Sequence, residues 1–146
     1  MVMSASSIVS AQSAEDNILS VYKDYYAKIT AANSIDEQFA VDKEYKTKAK
    51  VQEMTEKMPK TDQEKTMFMA FFTSMIKPMY IAPTNLKISD VEVNGDSAEV
   101  CFTSSSDDST KGTAILKKEN NLWKVEETSI SKEGNGSMEG ETSISF

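Results

Sequence analysis

Pro83 divides this chain into two stretches of different apolar periodicity. Before it, large apolar side chains recur at the spacing of a helix; after it they alternate, and turn residues come at short intervals. A chain that changes period once in this order is expected to be α+β, with N-terminal helices packed on a curved antiparallel sheet.

Three stretches are expected to be helical. The first, about 14–32, carries Ile18, Leu19, Tyr22, Tyr25, Tyr26 and Ile29 on one broad face. The second, from Ser34 to Met58, is weakly patterned, with a bend expected around Lys46 to Lys50. The third, about 62–77, repeats the strong pattern with Met67, Phe68, Phe71, Phe72, Met75 and Ile76, a face apolar enough to predict deep burial. Ser13, Ser34 and Thr61 each stand three residues ahead of a carboxylate (Asp16, Glu37, Glu64), the spacing of a capping box at a helix start.

In the second half, Asn94-Gly95 predicts a tight turn between strands 86–93 and 97–104. A turn centred there pairs Val91 with Ala98. Ile88 and Leu86 then face Val100 and Phe102 only if a β-bulge lies near Ser89 and Asp90. Asn120-Asn121 predicts a second hairpin, with Ala114, Leu116, Trp123 and Val125 on the inner face and Lys117, Lys124 and Glu126 on the wet one. Cys101, between Val100 and Phe102, is expected on a half-buried strand with its thiol shielded. The polar run 104–110 reads as an exposed loop. Its Asp107 and Asp108 lack the alternating oxygen ligands of a calcium hand.

Composition narrows the chemistry. The chain has no histidine, and all 16 basic residues are lysine. That removes imidazole-based nucleophile pairs, His-containing zinc sets and the guanidinium fork for phosphate. The single cysteine, Cys101, cannot make an intramolecular disulfide or a thiolate cluster. No metal or cofactor is expected. A net charge of -7 with no basic, aromatic-interleaved stripe argues against nucleic acid as a partner. No apolar stretch is long enough to predict a membrane span.

The first residues are small and apolar, and Val9-Ser10-Ala11 has the small-x-small form that ends a signal peptide. Residues 1–13 are accordingly read as a leader remnant or a disordered N-terminus, 14–131 as a single α+β domain, and 132–146 as a flexible tail or short edge strand. Export to the periplasm or the extracellular space is the expectation.

The order of three helices and then a meander, with Val91-Glu-Val-Asn-Gly-Asp-Ser-Ala-Glu-Val100 and a closing Asn121-Leu-Trp-Lys-Val125, resembles the nuclear transport factor 2-like superfamily. Within it, the chain looks like a domain family of unknown function found in secreted and lipid-anchored bacterial proteins. The resemblance covers roughly 14–131. It implies a cone in which a curved sheet wraps the helices, in many members around a pocket, and it implies a homodimer. The leading expectation is a non-enzymatic domain binding an apolar small molecule or a protein partner, with Tyr22, Tyr26, Phe72 and Trp123 lining the pocket. One alternative is an isomerase- or dehydratase-like enzyme in which Tyr22 or Tyr26 polarises a carbonyl and Asp24 or Asp42 moves a proton. Another is an interaction or dimerisation module. Against the two pocket readings, though not the interaction module, stands the plain reading that tyrosines at helical spacing are core.

Overall fold

A computed structural model describes residues 2–106, 109–132 and 142–146. Its helical half comprises α1 (Val2–Ala31), α2 (Ile35–Tyr45), α3 (Lys48–Lys57) and α4 (Asp62–Phe71). The sheet is a five-stranded antiparallel meander in the order β1 (Leu86–Asn94), β2 (Ser97–Ser104), β3 (Thr110–Glu119), β4 (Leu122–Lys132) and β5 (Thr142–Ser145). The architecture is therefore α+β, with an open sheet.

Two of the three expected caps form. Ser34 accepts from the Glu37 amide at 3.1 Å while the Glu37 carboxylate accepts from the Asn33 amide at 2.6 Å. Thr61 and Glu64 repeat the arrangement at the start of α4. Each such cap contributes about 1 kcal/mol by satisfying amides that have no partner within the helix. The third does not mark a helix start, because α1 continues unbroken through Ser13 from Val2. The small residues upstream are compatible with helix even though they supply no strong apolar stripe. The bend expected in the second helical stretch is a complete break at Lys46 and Thr47, with Thr47 capping α3.

The core lies between α1 and one face of the sheet. Ile18, Tyr22, Tyr25, Tyr26 and Ile29 meet Ala98, Val100, Phe102, Ala114, Leu116, Val125 and Ile130. Phe102 spreads across Gly112, its partner on β3, and this requires glycine: a Cβ at that position would overlap the Phe102 ring. The bulge at Ser89 is present, but the register of the first hairpin differs from expectation by two residues. Val91 pairs with Val100, Ile88 with Phe102 and Leu86 with Ser104. The turn is centred on Gly95-Asp96 rather than Asn94-Gly95. Gly95 alone takes a positive φ, +63, while Asn94 stays in the strand opposite Ser97. A two-residue change keeps every side chain on its face, so the alternation that predicted the strands could not reveal it. The second hairpin turns at Asn120 and Asn121, with φ of 51 and 65, as a two-residue turn with both φ positive requires.

A second bulge, not foreseen, falls on β4, where Glu126 has no partner on β3. It changes the inward phase of β4 from Trp123 and Val125 to Thr128 and Ile130. Next to it, the Val125 carbonyl accepts from the Thr47 amide at 3.0 Å, which pins the α2–α3 break to the sheet.

Two expectations about exposure change. Neither α3 nor α4 buries a residue fully, and Met67, Phe71 and Met75 form an exposed stripe, at 65, 55 and 60%. From α4 and its π-helical continuation Phe72–Ile76, Phe72 alone reaches the core, stacking on Phe68 and meeting the edge of Tyr80. Cys101 is half-buried, but it is out of phase with the inward Val100 and Phe102. Its thiol lies 3.7 Å from the Glu99 carboxylate, and burial together with Glu99 raises its pKa. Asp107, Asp108 and most of the 132–146 tail lie outside the described residues, whereas Thr142–Ser145 pairs with β4 as an edge strand.

Candidate functional site

Three of the four residues expected to line a pocket, Tyr22, Tyr26 and Phe72, fall in one aromatic cluster of the core, and Trp123 lies apart from them. Tyr22 and Tyr26 are fully buried in the core, both against Phe102. The Tyr22 hydroxyl is 3.1 Å from Thr128 Oγ1, and Tyr26 donates to the Ile81 carbonyl at 2.6 Å. Phe72 joins this cluster through Tyr80. Trp123 is buried at the turn end of the sheet, with the Lys118 ammonium 5.9 Å from its ring centre.

A recess with mostly apolar walls lies elsewhere, between α2, α3 and α4. It is a half-open depression of about 200 Å³. Ile35, Phe39, Met54, Met58, Pro59 and Phe68 form its apolar walls. The walls from α3 and α4 include no buried residue, whereas α2 contributes buried Ile35, Gln38 and Asp42. A 3.6 Å ion pair from Lys65 on α4 to Asp36 links α4 to α2.

The floor is polar, and α2 makes it so. The buried side of this helix is Ile35, Gln38, Asp42 and Tyr45, with Lys46 immediately after the helix end. Gln38 and Asp42 line the recess from successive turns and are 8 and 4% exposed. Lys50, Glu53 and Lys57 complete the lining, and Glu53 pairs with Lys57 at 3.1 Å. Asp42 accepts a long hydrogen bond, 3.5 Å, from the Tyr25 hydroxyl. Burial pushes its carboxyl up to about 6, against the opposing pull of Lys46 and of the Tyr25 hydrogen bond. Lys46 is 2% exposed, with its ammonium 5.7 Å from the centre of the Tyr25 ring. Burial lowers its pKa to about 8, with Asp42 acting in the other direction. Neither Gln38 Nε2 nor Lys46 Nζ has a hydrogen-bond partner. Unpaired buried donors of this kind are rare and cost of order 1–3 kcal/mol each.

Asp24 does not join this group. Its carboxylate is at the surface, where it accepts from the Tyr45 hydroxyl and pairs with Lys28 at 3.5 Å. The Tyr45 hydrogen bond holds its pKa below the ordinary value. Of the two acids that the alternative enzymatic reading offered beside Tyr22 or Tyr26, Asp42 lines this recess, which neither tyrosine does, and Gln38 and the adjoining Lys46 were not named. The missing signal was phase: Gln38 and Asp42 fall on the helical face that Ile35 and Tyr45 define, so both must turn inward with them.

Among the described residues, no group of three or more acidic or cysteine side chains could hold a metal ion, and no helix is long and apolar enough to cross a membrane. Comparisons with protein-family models, curated proteins and solved structures give no match to this chain.

Proposed function

We propose that this protein is a non-catalytic binding domain whose ligand is a small apolar group, free or carried on a protein segment, held in the recess between α2, α3 and α4. The observation that carries this reading is an apolar-walled space of about 200 Å³ over a buried polar floor. Its size is close to that of engineered apolar cavities, about 150 Å³, that take up benzene. Apolar walls with a few converging polar groups are the usual composition of a ligand site.

The meander packed by one face on a long helix supports membership of the nuclear transport factor 2-like superfamily. The Val9-Ser10-Ala11 pattern supports export to the periplasm or beyond. A homodimer belongs to the same proposal. An enzymatic reading is favoured by one specific observation, the buried Asp42 carboxyl in the recess with its raised pKa. Turnover of a bound ligand would separate it from simple binding.

The test is methyl NMR of methionine-labelled protein titrated with toluene. The expected result is saturable shifts of the Met54 and Met58 methyls, with the exposed Met67 and Met75 methyls unmoved. An absence of shifts, or equal shifts at all four, overturns the recess as the site.

A further inference from the structure

β1 is an edge of the sheet. Among the described residues, its backbone pairs with β2 and with nothing on its other flank. The Asn85 carbonyl, just ahead of the strand, accepts from the Ser105 amide at 2.8 Å. Asn85 therefore points its backbone towards β2, and Leu86 and Ile88, which alternate with it, turn their N–H and C=O groups outward. Side-chain face and backbone direction alternate together along a strand, so Val91 and Val93, inward-facing like Leu86 and Ile88, present their backbone on the same bare flank. All four side chains pack against the core, yet each is only half-buried, with no strand beside it.

Across a two-fold axis normal to the sheet, an edge strand meets its own copy antiparallel. In a regular strand each residue then stands opposite one an even number of positions away, because the faces must match. Lys87 and Glu92 are an odd number of positions apart, so a regular strand could never set them against each other. The extra residue at the bulge between Ile88 and Asp90 removes that bar. It brings Leu86 and Ile88 into phase with Val91 and Val93 on the inner face, and Lys87 into phase with Glu92 on the exposed one. Exposure along 86–93 now reads the same from either end. Self-pairing centred between Ser89 and Asp90 sets Leu86 against Val93, Ile88 against Val91 and Lys87 against Glu92, with the Ser89 hydroxyl opposite the Asp90 carboxylate. Bulges and lysines commonly keep sheet edges apart; this bulge instead makes the edge complementary to itself.

We propose that the partner at this edge is a second copy of the chain, whose β1 pairs antiparallel in this register so that the two sheets become one. This rests on the protein being a homodimer, and it gives that dimer its surface. A single strand pair buries little area, so the association is weak and reversible, at micromolar to millimolar concentration.

The experiment is sedimentation equilibrium over that concentration range on the wild-type protein, on Lys87→Glu, on Glu92→Lys and on an equimolar mixture of the two variants. Both positions are exposed, so the fold should tolerate either change, and thermal melts at low concentration check it. The wild type is expected to dimerise. Each variant alone sets like charges opposite each other on both sides of the axis and should associate about tenfold or more weakly. The mixture should recover the wild-type affinity, because each substituted side chain then meets its opposite charge. A wild type that stays monomeric throughout overturns the homodimer and this interface together. A dimer that both variants keep at wild-type affinity leaves the homodimer standing and overturns the β1 edge as its surface. Weakened variants whose mixture does not recover overturn the register.

Discussion

Gly112 shows how much one missing atom can carry. The Phe102 ring lies across it on the inner face of the sheet, against both Tyr22 and Tyr26, and occupies the space that any Cβ would take. Gly112→Ala must displace a buried ring that is itself wedged against α1. A loss of about 1–3 kcal/mol is expected, the usual cost of overpacking a filled core. Urea denaturation of the variant measures it, and an unchanged midpoint would mean that the ring has free space to move into.

Among the elements, α4 departs furthest from what its sequence suggests. Its apolar residues continue around the helix, yet on its inward side Phe72 is buried and Phe68, Met69 and Ile76 are half-buried, and the Met67, Phe71 and Met75 stripe faces outward. The π-helical turn is part of this arrangement. It is closed by the Lys77 amide on the Phe72 carbonyl, and it starts at the one residue of this segment that reaches the core. Truncation should therefore divide sharply along the helix. Phe72→Ala is expected to cost about 3–5 kcal/mol, and Met67→Ala to stay within about 0.5 kcal/mol. Equal losses in thermal or urea melts would place both stripes in the core.

For the whole molecule, the join between helices and sheet has an electrostatic cost that depends on pH. The Thr47 to Val125 hydrogen bond draws the end of α2 onto β4 and takes Lys46 and Asp42 out of water with it. Asp42 has its pKa raised from 3.8 to about 6, so its contribution to stability is complete below pH 3.8 and is lost as pH rises through about 6. Lys46 has its pKa lowered from 10.5 to about 8, so its contribution is present above 10.5 and is lost as pH falls through about 8. Both contributions are absent between about 6 and 8, which predicts a minimum in stability there and a recovery from pH 8 towards 10. Above pH 10 the buried tyrosines act in the opposite direction. Tyr22, Tyr25 and Tyr26 all have pKa values raised from 10.0 by burial, so the unfolded chain ionises first and stability falls again. Lys46→Met removes an unpaired buried ammonium. It is expected to raise the melting temperature at pH 7 and to abolish the recovery between pH 8 and 10. Melting curves across pH check both, and a profile unchanged by the substitution would mean that Lys46 is solvated in solution.

What was legible in the sequence was local. The single change of period at Pro83, the caps at Ser34 and Thr61, the bulge at Ser89 and the Asn120-Asn121 turn each depend on backbone chemistry within a few residues, and each is found where the residues put it. The site was legible only in part. Asp42 could be named as a candidate, but Gln38 and Lys46 look like ordinary surface residues until α2 is seen with its polar stripe turned inward. Periodicity shows that a helix has an apolar face; it does not show whether anything covers that face, because the covering surface comes from residues distant in sequence. For that reason the exposure of α4, the register of the first hairpin, the second bulge and the recess between α2, α3 and α4 were decided by tertiary packing.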